Sequence, residues 1–326
     1  MRSATVIICT HNRATVVGRA VEGALAEVRT RDAEVLVVDN ASTDATAAVL
    51  AGVLQRFGPE VRVVREPDLG LCAARNRGLA EARGEIAVFL DDDAVPRPGW
   101  LTALLAPYEA DGVVCVGGRA LLRFACAPPA WLTPAFYPAA GNFDLGDRRR
   151  RIRDRPGDWF PCGANISFRA AMARQFGGFS TEVGQRGRSQ RVHDETDLCA
   201  RLDRAGGVIL YTPDAVVDHW VGEEKLAAEW FLNRHWESGQ SAATYVLRNR
   251  GALRGFSAVR WYARYLPVGR YVPRDPIDPV RLLAECQRRE ALGYLLGLAR
   301  GIVRLRALRR GLAAAPRSVA ASEGHA

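Results

Sequence analysis

The N-terminal part of the chain alternates β-branched runs with segments of helical period, and no other feature constrains the fold as strongly. The apolar runs predict strands at 5–9, 34–38, 61–64, 86–90 and 113–116. Between them, apolar residues recur at helical spacing and predict helices at 14–28, 43–57 and 71–82. Alternation of this kind builds a parallel sheet with helices on both faces. We therefore predict an α/β fold.

Polar and acidic residues follow several of these predicted strands. They lie at 10–13, 39–42, 66–68 and 91–93, directly after the apolar runs. In open α/β sheets, ligands bind outside the carboxyl ends of the strands, where such loops converge. We expect the functional site at this edge.

The rest of the chain changes character twice. Residues 121–160 lose periodicity, are rich in proline and predict an irregular excursion. Regular structure is expected again at 165–168, with a helix at 195–204 and strands at 208–211 and 215–217. After Gly222 the pattern is helical apart from a break at 267–279. We predict a main domain at 1–222 and a C-terminal helical extension at 223–326.

Composition limits the environment and the partners. The net charge of +9 comes almost entirely from arginine, since Lys225 is the only lysine, and it favours anionic ligands. Seven scattered cysteines without a C-x-x-C pair disfavour a disulfide scaffold and favour a cytoplasmic location. Neither an export signal nor a bilayer-spanning run is evident.

The last predicted helix allows two interpretations. Its apolar stripe consists of Leu292, Leu295, Leu296, Ala299, Ile302 and Val303, with arginines beside it. Packing against the main domain is the first interpretation. Peripheral contact with the inner face of a membrane through this basic helix is the second. We expect no nucleic-acid partner.

Asp91, Asp92 and Asp93 form the strongest local signal. Three consecutive carboxylates at a strand end repel one another unless a cation or strong donors neutralise them. Mg²⁺ and Mn²⁺ prefer such hard oxygen ligands and keep positions open for phosphates. A plain acidic turn is the alternative, because acidic triplets are common at turns.

Several further blocks accompany the triplet in a fixed order. They read VIICTHNR at 6–13, EVLVVDNASTD at 34–44, ARNRGL at 74–79, GEIAVFLDDD at 84–93, GAN at 163–165, GGF at 177–179, DETDL at 194–198 and AVVDH at 215–219. In order and spacing the chain resembles family 2 glycosyltransferases over roughly its first two thirds. The resemblance implies the GT-A fold, a nucleotide-sugar donor and, in most members, a divalent cation.

The resemblance also implies roles for individual residues. Contacts to the base, ribose and phosphates of the donor are expected from Thr10, Asn12, Asp39, Arg75, Asp91, Asp92 and Asn165. Asp93 is the expected direct metal ligand, Asp91 a ligand of the metal or the ribose, and His219 a further metal ligand. Each has a structural alternative: Asp39 a buried turn, Arg75 a solvated surface group, His219 a core histidine.

An inverting transfer needs a base that takes the proton of the acceptor hydroxyl. By the resemblance, this base belongs to an acidic pair at a helix start, here in the order Asp194 then Glu195. Alignment on the following Thr-Asp-Leu favours Glu195, while the family's preference for aspartate keeps Asp194 open. Helix-dipole pairing explains both without catalysis. Trp159 and Trp220 are candidates for stacking on the acceptor, or else packing residues.

The expected activity is transfer of a hexosyl or deoxyhexosyl group from a nucleoside-diphosphate sugar, UDP- or dTDP-linked, to a hydroxyl. Glycans, lipid-linked sugars and natural products are the expected acceptors. One alternative is a nucleotide-sugar-binding protein without catalysis, suggested by the reversed acidic pair. A D-x-D phosphatase that uses Asp91 and Asp93 is another, and it would need a lysine, for which only Lys225 is available.

Overall fold

The computed structural model describes residues 3–29, 31–155, 158–187, 189–267 and 269–314. The predicted extension therefore lies outside the described residues at 315–326. The strands are β1 Ala4–Thr10, β2 Ala33–Asn40, β3 Val61–Glu66, β4 Ile86–Asp91, β5 Ala94–Pro96, β6 Val113–Phe124, β7 Arg150–Ile152, β8 Asn165–Arg169 and β9 Val208–Val221. The helices are α1 Val17–Val28, α2 Thr46–Phe57, α3 Leu71–Glu81, α4 Trp100–Leu105, α5 Ala170–Gln175, α6 Asp194–Arg204, α7 Ala228–Ala263 and α8 Pro279–Ala314.

The described strands form one sheet in the order β3-β2-β1-β4-β8-β6-β9-β5, with β7 paired to β9. β3, β2, β1 and β4 are parallel, as predicted from their alternation with helices. β8 is antiparallel to both of its neighbours, β4 and β6. β6 and β9 are parallel to each other. The predicted α/β sheet flanked by helices, with helices at the C-terminal end, is confirmed.

The core follows from the sequence pattern. Val6, Ile7 and Ile8 of β1 are fully buried, as are Val88 and its neighbours in β4, because these central strands are covered on both faces. α1 turns Val21 and the rest of its apolar stripe into the same core. The carboxyl ends of β1, β2 and β4 are thereby held rigidly at one edge.

Three predicted boundaries are wrong, for local reasons. Helix α1 begins at Val17, not at 14, because the backbone amides of Arg13 and Ala14 donate to side chains of Thr46 and Asp44. β6 continues to Phe124, four residues into the segment expected to be irregular. β9 is one strand through 212–214, where two strands were predicted.

The irregular segment is folded onto the C-terminal helices. A 3₁₀ helix at Pro134–Ala140 carries Phe136 into contact with Trp131 and with Phe231 of α7, at centroid distances of 5.7 and 5.5 Å. These rings form a second apolar cluster, separate from the core of the sheet. The cluster ties the start of α7 to the main domain.

α7 and α8 lie against each other. A methyl group at Gly239 would overlap the carbonyl oxygen of Glu290, and one at Gly293 would overlap that of Trp236, so glycine permits this close approach. The buried face of α8 carries Tyr294 and Leu298, beside the apolar stripe predicted from sequence, whose Val303 is 67% exposed. No helix among the described residues has the length and apolarity needed to cross a membrane.

Candidate active site

A cavity of about 420 Å³ opens at the carboxyl edge of the parallel strands. The sheet and the C-terminal helices both contribute to its wall. Lining residues include Cys9, Thr10, His11, Arg13, Asn40, Arg75, Asp91, Asp92, Asp93, Gly141, Gly163, Asp194, Glu195, His219, Lys225, Trp230 and Arg234. The site predicted from the loop positions is therefore a real concavity.

Strand pairing brings His219 next to the acid triplet. β4 ends at Asp91, and β5 pairs antiparallel with β9 so that Ala94 lies opposite His219. This register brings Nε2 of His219 to 3.0 Å from Oδ1 of Asp93. Ligand atoms of Asp91, Asp93 and His219 all lie within 4.8 Å of one another. Asp91 and Asp93, together with His219 from a distant part of the sequence, are a candidate metal centre.

Asp93 is surrounded by positive charge. Nζ of Lys225 lies 3.0 Å from its Oδ2, and Nη2 of Arg13 lies 3.3 Å from the same atom. Burial alone would raise the pKa of Asp93, but His219 and Lys225 hold it well below its usual range. Burial and the charge of Asp93 raise the pKa of Asp92 to about 7. Asp93 is therefore ionised over the physiological pH range, whereas Asp92 exchanges its proton near neutral pH.

Arg75 connects the triplet to the second group of acids. Asn40 accepts a hydrogen bond from the amide of Gly70 (2.8 Å) and so fixes the start of α3, one turn before Arg75. The guanidinium is 3% exposed, pairs directly with Asp194, and reaches Asp91 at 3.3 Å. Phe179 covers it at 5.4 Å. Parts of the chain about a hundred residues apart are joined by this one side chain.

Asp194 and Glu195 begin α6 but lie in different surroundings. Burial would raise the pKa of Asp194, but its pairing with Arg75 outweighs burial and lowers that pKa. Glu195 lies 3.6 Å from Arg75 and accepts a hydrogen bond from the amide of Gly163 (3.0 Å). Burial and the charge of Asp194 raise the pKa of Glu195 to about 8. Glu195 is therefore the acid of the pair suited to exchange a proton near neutral pH.

Residues 5–177 match the model of the family described as glycosyl transferase family 2. The chain belongs to this family. The resemblance read from the sequence blocks is confirmed, and the acid triplet falls within the matched region.

The chain is also similar to proteins that have names of their own. The chain is 26% identical to the glucosyl-dolichyl phosphate glucuronosyltransferase of Haloferax volcanii, over 73% of this chain and 75% of the relative. It is also 26% identical to the succinoglycan biosynthesis protein ExoM of Rhizobium meliloti, over 68% and 67%.

A solved structure shows the fold. The mannosyltransferase PcManGT of Pyrobaculum calidifontis, in complex with GDP-Man and Mn²⁺, superposes with a TM-score of 0.56 at 21% identity. The match covers 96% of this chain and 80% of that one. The expected GT-A fold is confirmed for this member of family 2.

Most residues predicted for the site line the cavity, and their roles stay predictions. The acids of the triplet, Thr10, Arg75, Asp194, Glu195 and His219 all border it. Two predicted residues, buried Asp39 and exposed Asn12, are neighbours of lining residues in the chain but are not part of the lining. Asp39 is 7% exposed and accepts a hydrogen bond from the amide of Ser42, while Asn12 accepts one from the amide of Thr43.

Three other predicted residues lie away from the described lining. Asn165 is fully buried, accepts a hydrogen bond from Trp100 and donates to the carbonyls of Arg119 and Ala215, each at 2.8 Å. Trp159 is 71% exposed. Trp220 lies beneath the guanidinium of Arg19, at 4.8 Å.

The cavity also holds residues that were not selected from the sequence. His11, Arg13 and Asn40 lie next to selected positions, so the loop position itself was the signal. The start of the C-terminal helical region contributes Trp230 and Arg234, and also Lys225, which the sequence offered only for the phosphatase alternative. Because they border the cavity together with the sheet, the predicted division at 222/223 runs through the site, and that division stays a prediction.

Proposed function

We propose that this family 2 protein transfers a sugar from a nucleoside-diphosphate donor to an acceptor hydroxyl, with inversion at the anomeric carbon. The observation that supports this most is the double pairing of Arg75 with Asp91 and with Asp194. It links a candidate metal centre and a candidate base along the wall of one cavity. Sugar transfer needs both groups, because the metal binds the donor diphosphate and the base accepts the proton of the acceptor hydroxyl.

The residues at the candidate centre fit a divalent cation. Asp91 and Asp93 offer the hard oxygens that Mn²⁺ and Mg²⁺ prefer. Nδ1 of His219 faces the carbonyl oxygen of Gly141 at 3.3 Å, so a proton held on Nδ1 would leave the Nε2 lone pair free for a bound cation in place of the hydrogen bond to Asp93. When bound, the cation would neutralise charge that develops on the departing diphosphate. We propose Asp91, Asp93 and His219 as its ligands.

Glu195 is the proposed base. It takes the proton of the acceptor hydroxyl as that oxygen forms a bond to the anomeric carbon, and the bond from this carbon to the diphosphate oxygen breaks. Its raised pKa suits proton acceptance, whereas the ionised, Arg75-bound Asp194 is proposed to position Arg75. Arg13, Lys225 and Arg234 provide positive charge for the diphosphate.

The donor and acceptor are proposed by class. Asp39 and Thr10 lie side by side at the ends of β2 and β1, which supports base and ribose contacts there, and a UDP- or dTDP-linked hexose or deoxyhexose is the proposed donor. The name of the Haloferax relative includes glucosyl-dolichyl phosphate, which supports a lipid-linked acceptor. Trp230 lines the cavity, so we propose it as an acceptor contact ahead of Trp159 and Trp220.

The D-x-D phosphatase alternative is supported by one contact, the 3.0 Å approach of Lys225 to Asp93. It also requires Asp91 as a nucleophile, but Arg75 pairs with that carboxylate. Membership of family 2 favours sugar transfer. Release of phosphate from sugar phosphates would support the phosphatase.

A donor screen tests the proposal. Purified protein is incubated with UDP-, dTDP- and GDP-sugars, with Mn²⁺, with Mg²⁺ or with a chelator, and release of nucleoside diphosphate is measured. We expect release from at least one donor, dependent on the metal and lost in Asp93→Ala and Glu195→Gln. Nucleotide-sugar binding without turnover under every condition would instead support the binding protein without catalysis.

A further inference from the structure

A long part of α7 and the segment that follows it carries only positive charge. Residues 238–274 contain seven arginines and no aspartate or glutamate. Arg248 pairs with Glu182, and Arg250 pairs with Asp154. Within the described residues, no acidic partner is found for Arg254, Arg260 or Arg264. These three guanidinium groups therefore give the surface an uncompensated positive charge.

Large apolar side chains are exposed beside these arginines. Leu253 is 87% exposed, Phe256 56% and Trp261 48%. All three follow the kink at Gly251, where the backbone leaves helical geometry (φ 75°). At 100° per residue, they share an outward arc of about 140° with Arg260 and Arg264. We define the arginine–aromatic face as Leu253, Arg254, Phe256, Arg260, Trp261 and Arg264.

Packing on the opposite side of the helix fixes this orientation. Tyr262 stacks on Tyr294 of α8 with ring centroids 4.2 Å apart. The hydroxyl of Tyr294 donates to the carbonyl of Gly255 at 3.0 Å, and Ala258 and Val259 join the same apolar cluster. A rotation that buried the arginine–aromatic face would break these contacts. The exposed apolar groups are therefore a fixed surface of the fold.

The combination of groups selects the partner. Arginine beside aromatic and aliphatic groups on one helical face suits the boundary between lipid head groups and acyl chains. The guanidinium of Arg264 lies over Trp261 at 4.4 Å, so charge and aromatic ring already share one position. Purely anionic polymers would satisfy the arginines but leave Leu253 and Phe256 in water.

We propose that the arginine–aromatic face docks on the surface of an anionic lipid bilayer. The apolar side chains enter the interface and the arginines contact lipid phosphates. This differs from the membrane contact expected of the last helix, because it places the contact on α7. The proposal does not depend on sugar transfer, since binding to lipid is measured without a donor.

Vesicle flotation tests the proposal with the full chain. Vesicles of phosphatidylcholine alone are compared with vesicles that also contain phosphatidylglycerol, at low and high salt. We expect binding to the anionic vesicles to be at least about tenfold tighter and to weaken with salt. Phe256→Ala/Trp261→Ala and Arg260→Gln/Arg264→Gln should each reduce it by about tenfold or more.

Matched controls separate this face from general surface effects. Leu54→Ala and Arg83→Gln remove an exposed apolar and an exposed basic group elsewhere, and we expect unchanged binding. Thermal unfolding of every variant confirms folding. A blue shift of tryptophan emission on anionic vesicles should be smaller in Trp261→Phe.

Three results would overturn the proposal. They are absence of flotation with the anionic vesicles, equal loss of binding in the control variants, and light scattering that shows dimers dissociated by Phe256→Ala/Trp261→Ala in the absence of lipid. The last result would assign the face to contact between copies of the chain.

Discussion

The acid triplet and the acid pair line the same cavity, but they differ in the positive groups that surround them. At the acid triplet, Asp93 meets three cationic or proton-donating groups, His219, Lys225 and Arg13. At the acid pair, the guanidinium of Arg75 lies within ion-pair distance of both Asp194 and Glu195, and it also pairs with Asp91 of the triplet. Among the described residues, three groups therefore contact Asp93 directly, whereas the pair has the guanidinium of Arg75 in direct contact and the charge of Arg234 nearby.

The difference explains how neighbouring carboxylates acquire separate chemistry. Where cations are plentiful, the pKa of Asp93 falls and the carboxylate stays available as a ligand. At the pair, Arg75 lies nearer to Asp194, and burial together with the charge of Asp194 raises the pKa of Glu195 to about 8. Environments that shift the pKa values of neighbouring acids in opposite directions are typical of sites where one acid stays ionised and the other transfers a proton.

The largest expected effect belongs to the cation-rich side. Asp93→Asn should lower kcat/KM by about 10⁴-fold, because a metal contact stabilises the departing diphosphate by several kcal/mol and each 1.36 kcal/mol is tenfold. Titration calorimetry should show loss of Mn²⁺ binding. The matched control is Asp92→Asn in the same loop, for which we expect a decrease of less than about tenfold. Equal losses would mean that the loop acts as an undivided acidic patch.

The next effect separates the two members of the acid pair. Glu195→Gln should lower kcat by about 10³-fold, within the range for a lost general base, while binding of nucleoside diphosphate is retained. Asp194→Asn should lower the free energy of unfolding by about 2 kcal/mol, because it removes the main partner of buried Arg75 while Asp91 and Glu195 remain close. Steady-state kinetics and thermal unfolding measure the two effects. A reversed result, with catalysis lost only in Asp194→Asn, would make Asp194 the base.

The pH dependence gives a smaller and more specific effect. A base acts only when deprotonated, and the pKa of Glu195 is raised to about 8, so kcat/KM should fall as pH drops below that value. The expected slope is about tenfold per pH unit. Arg75→Gln removes the cation that lowers the pKa values of Asp194 and Glu195. The falling limb of the pH–rate profile should therefore move to higher pH. A limb that stays in place in Glu195→Asp and Arg75→Gln would come from another group.

Much of this comparison was predictable from residue patterns. The β-branched runs predicted the parallel strands, and the position of the triplet after β4 predicted its place at the sheet edge. The acidic pair before an amphipathic helix predicted the start of α6 within one residue. These features are local, because strand ends and helix starts are specified by neighbouring residues.

What the sequence did not predict depends on tertiary packing. Lys225 lies in a 3₁₀ turn at Glu223–Lys225 and Arg234 lies in α7, and both border the cavity because this region packs on the main domain. Asn165 looked like a ligand contact, yet its amide satisfies Trp100 and two backbone carbonyls. A polar residue that contacts a ligand and one that is hydrogen-bonded inside the core look the same in a sequence motif, because the sequence does not reveal hydrogen-bond partners.

Two glycines allow the two sides of the cavity to be perturbed separately, with the smallest expected effects. A methyl group at Gly141 would overlap the His219 ring and meet a backbone φ of +97°, so Gly141→Ala should displace His219. One at Gly163 would overlap the Arg75 guanidinium. We expect Gly141→Ala to weaken Mn²⁺ binding by about tenfold and to leave the pH limb unchanged.

Gly163→Ala should produce the complementary result. Displacement of Arg75 withdraws positive charge from Asp194 and Glu195, so the pH limb should move upward. Mn²⁺ affinity should change by less than about threefold, because Arg75 contacts Asp91 while Asp93 and His219 keep their own partners. Calorimetry and pH–rate profiles on both variants form a two-by-two comparison. If each variant altered metal affinity and the limb together, the triplet and the pair would be one coupled unit, and Arg75 would transmit each perturbation across the cavity.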